Sequence, residues 1–353
     1  MIDFKKNLAF IKGEVDVSEA TKDAYSHDAS VFEIRPQVVV FPKDKEDISN
    51  LVKWVNDHKK EDPTLSITMR AAGTCMSGGS INDSIIVDTT KYMNQVISIR
   101  KTLPYTILPH FYGAKEVVCT GEAVVQPGLM YRDFEKQAQE AGLLLPCYTA
   151  SKSINALGGM VGNNSGGELT LRYGKTEDYV RELKVILKDG HEYDIRPLTR
   201  RELYSKIAQV DFEGQVYKTI YNLIKDNEQI VRAAKPRVSK NSSGFNLWNT
   251  LSKDNEGEDV FDLSQVIIGA QGTLGIVTEI KLALVAPRKA SSLVVVMMKS
   301  LDTLGDLVSE ISKTHPESVE SYDDKTFKLA MKFFKDFVKA KGLWGTFKFG
   351  TQF

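Results

Sequence analysis

RAAGTCMSGGS, residues 70–80, is the stretch on which the reading of the fold turns. The strand-like run LSITMR (65–70) ends at Arg70, and the loop after it holds three glycines and six other small residues, with Met76 its only long side chain. Glycine admits positive φ and close approach of another molecule, and successive N–H groups stabilise phosphate charge without a lysine. Taken alone, the loop also reads as a tight connection that binds nothing. It is neither a Rossmann fingerprint, since no G-x-G-x-x-G opens a helix after a strand, nor a Walker loop.

Outward from this loop, PQVVVFP (36–42) reads as a strand. Lys43 to Lys60 carries helical spacing through Ile48, Leu51, Val52 and Val55, and SIIVD (84–88) closes a β-α-β-loop-β unit. GEAVVQPG (121–128) is a strand ended by Pro-Gly, and Tyr131 to Ala141 a short amphipathic helix closed by Gly142. A second loop, GGMVGNNSGG (158–167), packs five glycines and two asparagines into ten residues, a density costly in any helix or strand interior, so something must approach that backbone. VRELKVILKDGHEYDI (180–195) alternates around Asp189-Gly190, a two-residue hairpin signal.

The segment 196–262 reads as polar and helical, with a Ser/Asn-rich interruption at 239–246 and an exposed acidic loop at DNEGED (254–259). SQVIIGAQGTLGIVTEIKLAL (264–284) reads as strands around a glycine turn. From about Ala290 a further α+β unit opens: SSLVVVMM (291–298) as strand, Leu301 to Thr314 as helix, Ser318 to Tyr322 as strand, then one more helix. That is too little material to close a sheet over its own core.

The 353 residues carry 46 basic and 46 acidic side chains and 42% hydrophobic content, which excludes disorder throughout and favours at least two packed units. Zero net charge gives no footprint for nucleic acid or an anionic bilayer. No stretch approaches the roughly 18 apolar residues of a membrane span, and the N-terminus lacks a secretion signal, so the default is a cytoplasmic protein with room for peripheral membrane association. Cys75, Cys119 and Cys147 form no CxxC pair and read as ordinary thiols. His27, His58, His110, His191 and His315 show no metal-ligand spacing, so no metal site and no catalytic residue is assigned.

R-x-x-G-T-x-x-x-G-G, then PG, then S-x-x-x-x-GGM-x-x-NN-x-GG-x-x-x-x-x-YG-x-T-x-D-x-V resembles the FAD-linked oxidase domain (PCMH-type) of the vanillyl-alcohol-oxidase superfamily. GAQGTLGIVTE (269–279) and HPESVESYDD (315–324) are similar to the corresponding stretches of D-lactate dehydrogenases and glycolate oxidase FAD-binding subunits. The resemblance implies an α+β fold: an N-terminal arm (1–34), a PCMH-type FAD-binding domain of two α+β subdomains (35–287, divided near 145), and the start of a truncated α+β cap domain (288–353).

By the same resemblance, Ala72, Gly73, Thr74, Cys75 and Met76, with Gly78 and Gly79, hold the FAD pyrophosphate. Pro127 and Gly128 flank the adenine. Gly158, Gly159, Gly162, Asn163, Ser165 and Gly166 line the isoalloxazine and ribityl side, and Ile276 makes a backbone contact. Thr74 stands where covalent members carry histidine, so the FAD is expected to be non-covalent. Ala71 and Gln271 depart from the family pattern, replacing glycine and glutamate.

The implied reaction is oxidation of a small 2-hydroxy acid, of the D-lactate, glycolate or D-2-hydroxyglutarate type, with hydride passing to flavin N5. The expected partners are that substrate and a subunit or electron acceptor completing the cap. A fragment, a natural short subunit and a truncated chain all fit the early ending. Two alternatives are a non-catalytic FAD-binding or scaffold subunit and an enzyme like the UDP-N-acetylenolpyruvoylglucosamine reductase of cell-wall synthesis.

Overall fold

The computed structural model describes residues 2–334 apart from 112, 239 and 254–256, together with 336, 338, 339 and 342. The chain separates into two units, Met1–Pro287 and Arg288–Phe353. In the first unit, strands β1 (Glu14–Asp16), β2 (Val38–Phe41), β3 (Ile67–Arg70) and β4 (Ile85–Asp88) form a sheet in the order β1-β2-β4-β3. β2 and β3 run parallel to β4, and β1 is antiparallel to β2. All four residues of β2 and of β4 are buried, as continuous apolar runs in parallel strands should be. The helix Lys45–His58 is capped by Asp44 and buries Ile48, Leu51, Val52 and Val55, the face its spacing predicts.

The first 34 residues are more than an arm. Phe4, Leu8 and Ile11 join the core formed by Val38, Val40, Leu51 and Val87. Buried Asp47 accepts hydrogen bonds from the amides of Lys12, Gly13 and Lys43, which ties the N-terminal segment to the helix it precedes.

β5 (Val96–Ile107), β6 (Val117–Val125), β7 (Val180–Ile186) and β8 (Glu192–Ile195) come next in the chain. A small antiparallel sheet follows, built from β9 (Pro197–Thr199), β10 (Leu251–Lys253) and β11 (Asp259–Asp262) in the order β10-β11-β9. β12 (Ile276–Val285) then inserts into an antiparallel sheet of order β5-β6-β12-β7-β8. Tyr131, Phe134 and Ala138 of the helix Tyr131–Glu140 pack on the core of this sheet, and Gly142 takes the positive φ of +71° that ends the helix.

The Asp189-Gly190 hairpin forms, but with three residues in its loop. The Leu187 amide bonds the His191 carbonyl, and Gly190 sits at φ +75°. This is the geometry of a turn with a left-handed glycine bulge, for which Asp-Gly is equally suited. SQVI (264–267) is a short helix rather than a strand, with all four residues buried. Leu157–Gly162, read as loop, is also helical. Its glycines are there for contact: a Cβ on Gly158 would lie 2.6 Å from the Pro127 Cβ. Of the acidic stretch DNEGED, residues 254–256 lie outside the described residues, and Gly257, Glu258 and Asp259 are exposed.

The second unit holds helices Leu304–Lys313 and Asp324–Lys332. SSLVVVMM and Ser318–Tyr322 form no strand there, and Leu293 to Met297 are exposed. A strand exists only through its ladder, and among the described residues nothing pairs with either segment.

Candidate functional site

A cleft of about 780 Å³ lies between the 70–80 loop and the 158–167 stretch, well within the roughly 300–1,000 Å³ of small-molecule and cofactor sites. The two stretches face one another: a Cβ on Gly159 would sit 3.6 Å from the Ala71 methyl. A third element closes the arrangement. The amides of Gly269 and Gln271 bond the carbonyls of Val161 and Gly162 at the end of the Leu157–Gly162 helix. Gln271 adopts φ +52°, and its Oε1 lies 2.7 Å from where a Gly79 Cβ would be, so this one residue spans both loops. Its divergence from glutamate leaves that span intact.

Of the residues expected to hold a ligand, Ala72, Gly73, Thr74, Cys75, Met76, Gly79, Pro127, Gly158, Gly159, Gly162, Asn163, Ser165 and Gly166 line the cleft. Three do not. Gly78, at φ +79°, faces the Phe32 ring; Gly128 packs against the Thr89 carbonyl, 2.1 Å from where its Cβ would be; Ile276 is buried with Ile48, Val52, Met93 and Ile186. Missed residues include Thr149, Ser151 and Asn155, from a stretch with no glycine signal, and Gln271 and Gly275 of the turn before β12. Buried Asn155, one of the cleft-lining residues, has an Oδ1 with no protein partner. Open glycine faces, free amides and this oxygen together suit a polar, phosphate-bearing cofactor.

The cysteines are not equivalent. Burial pushes the Cys119 thiol up to about 11 and the Cys147 thiol to about 12. Burial also raises Cys75, but hydrogen bonds from Ser77 and the Gly79 amide outweigh it and hold this cleft-lining thiol below its ordinary value.

Beneath the second stretch lies a buried polar network. The Glu177 carboxylate accepts from Asn246 Nδ2 at 2.6 Å and pairs with Lys175 Nζ at 3.0 Å. The Glu177 amide donates to Asn164 Oδ1, and Asn164 itself holds φ +45° in the turn after Asn163. The neighbouring Asp178 accepts from the His110 amide and from Nδ1 of the same residue, and its other oxygen takes the Lys175 amide.

Burial alone would lower the His110 imidazole, but the Asp178 hydrogen bond and charge outweigh it and raise the pKa. A raised folded-state pKa adds stability that is complete below the unfolded value of about 6.5 and is lost as pH rises through the folded one. His110→Gln is therefore expected to lose more unfolding free energy at mildly acidic than at alkaline pH, in paired urea titrations. Equal losses at the two pH values would contradict the assignment.

Residues 36–196 match the family described as the FAD binding domain. That stretch is thus similar to an FAD binding domain, which supports FAD as the cofactor. It is 26% identical over 93% of its length to the D-2-hydroxyglutarate dehydrogenase of Pseudomonas putida, of which it covers 30%. It is 26% identical to the glycolate oxidase subunit GlcD of Bacillus subtilis, over 92% of this chain and 54% of that one. It is 25% identical to a D-lactate dehydrogenase of Anaerostipes hadrus, over 98% of this chain and 57% of the relative. The chain therefore spans between about a third and about half of these relatives. A solved alkyldihydroxyacetonephosphate synthase shares the fold, with a TM-score of 0.52 at 16% identity over 82% of this chain and 41% of that one. Among the described residues, no helix is long and apolar enough to cross a membrane, and no three His, Cys, Asp or Glu group to hold a metal.

Proposed function

We propose that this chain binds FAD non-covalently in the cleft and serves an enzyme that oxidises a small 2-hydroxy acid of the D-2-hydroxyglutarate, D-lactate or glycolate type. The cleft between two facing glycine-bearing stretches carries the reading, and the names of the relatives supply the substrate class. Amides of 72–76 take the pyrophosphate with Gly79 beside them, and Pro127 flanks the adenine. Gly158, Gly159, Gly162, Asn163, Ser165 and Gly166 lie along the ribityl and isoalloxazine side. Gly78, Gly128 and Ile276 act indirectly, by shaping the backbone beside the cleft. Thr74 offers no imidazole for a covalent link. When bound, FAD supplies the hydride acceptor; the chain binds it, orients it and excludes water from one face.

In this reading residues 35–287 are the FAD-binding domain, in subdomains 35–145 and 146–287, and residues 288–353 belong to a substrate-side cap. A cytoplasmic location and an electron-accepting partner complete the proposal. Mixing the purified protein anaerobically with D-2-hydroxyglutarate, D-lactate or glycolate is expected to bleach the bound flavin with one of them. Reduction by dithionite alone, with no response to any of the three, would reject the substrate class. A footprint checks the cofactor's place: in the native protein iodoacetamide should modify Cys75 and spare Cys119 and Cys147, and saturating FAD should slow that modification roughly tenfold or more. A rate indifferent to FAD would put the cofactor elsewhere.

A further inference from the structure

We propose that Arg70 is the cation that compensates the cofactor's pyrophosphate, and that the N-terminal segment 25–32 is the strap that holds it in place. The proposal rests on the cleft being the FAD site. Arg70 is the only residue with a formal charge at neutral pH among the described residues lining the cleft. Two phosphate charges brought into a cleft with no cation would face a large desolvation cost. The guanidinium lies directly under the turn of the glycine-rich loop: a Cβ on Gly73 would meet Arg70 Nη2 at 2.5 Å and Cζ at 2.8 Å. Gly73 therefore has two reasons to be glycine, its φ of +65° and the cation beneath it.

The guanidinium is not free to swing out. Nη1 donates to the His27 carbonyl at 2.8 Å, and Cζ sits 4.9 Å from the centre of the Tyr25 ring. Tyr25 is itself fixed by its hydroxyl on Asp88 Oδ2 at 2.7 Å, at the end of β4. The same segment grips the loop at three further points. The Ala29 amide donates to the Gly73 carbonyl, Ser80 Oγ donates to Asp28 Oδ2, and the Phe32 ring covers Gly78. With Gly73 O and the arginine engaged on the strap side, the amides of 72–76 remain for the ligand.

The test is FAD affinity of the purified chain against ionic strength, by fluorescence quenching, for wild type, Arg70→Met, Arg70→Lys and Tyr25→Leu. Wild-type affinity should fall with salt. Arg70→Met should bind FAD roughly tenfold or more weakly and with a flatter salt dependence. Arg70→Lys, which keeps the charge but not the fork, should fall between them. Tyr25→Leu lies outside the cleft and leaves the loop sequence intact. It should weaken FAD several-fold by freeing the guanidinium, and should speed proteolytic cleavage within 25–32 even with FAD present. Wild-type affinity and salt slope in Arg70→Met, with dichroism unchanged, overturns the charge role; wild-type affinity in Tyr25→Leu overturns the strap. A wild-type chain that binds no FAD at all would instead reject the cofactor-site reading.

Discussion

Gly159→Val is expected to yield a folded protein that has lost its flavin. Gly159 is exposed in the helix Leu157–Gly162, and the only atom within 4 Å of a Cβ placed there is the Ala71 Cβ at 3.6 Å, an ordinary contact. Valine is no worse than glycine in a helix, so stability should hold or rise by a few tenths of a kcal/mol. Its two methyls, however, project into the cleft between the facing loops. An affinity loss of roughly a hundredfold or more, about 2.7 kcal/mol, is expected from filling space the cofactor needs. The flavin absorbance retained after gel filtration, set beside far-ultraviolet dichroism, measures both halves of the expectation. Stoichiometric flavin in the variant would remove this helix from the site. Gly73→Val is the poorer probe, because φ +65° and the Arg70 guanidinium make it a structural lesion as well, and its dichroism and melting should change too.

The second large effect is structural. Glu177→Ala removes the carboxylate that pairs with Lys175 and collects Asn246, in a region where Lys175 and Glu177 are 5% and 4% exposed. An uncompensated buried ammonium remains, and the expected cost is about 3–5 kcal/mol in urea unfolding. Lys175→Met/Glu177→Met, which removes both charges, should recover a large part of that loss. A cost below about 1 kcal/mol for Glu177→Ala would mean that solvent reaches the pair and that the network contributes little.

The parts of the fold that were readable from sequence are those with a local physical signature. The apolar runs of β2 and β4, the buried stripe of Lys45–His58 and the Asp-Gly hairpin each declare themselves within a few residues. β5 does not: it is an edge strand with polar residues on both faces, interrupted at Pro104 where its register shifts, and only its pairing to β6 makes it a strand. The Leu157–Gly162 helix was hidden by its glycines, whose helix cost is outweighed by close contact with Pro127. For the site, glycine density found the two facing stretches but not Thr149, Ser151 or Asn155, which reach the cleft through tertiary placement alone. Arg70 was visible as the end of a strand; its role depends on Tyr25 and His27, more than forty positions away, and no local pattern encodes that.

The insertion of β12 between β6 and β7 sets an order of events during synthesis. Before residue 285 leaves the ribosome, β5-β6 and β7-β8 can each close as neighbouring pairs, but nothing joins them. The segment that joins them also carries the Gln271 turn, which ties the two loops of the cleft together. A nascent chain of about 250 residues would therefore expose two unpaired sheet edges and have no assembled place for a cofactor. With the cleft as the flavin site, capture would be a late event in the life of this polypeptide and would report that the long-range pairing has been completed.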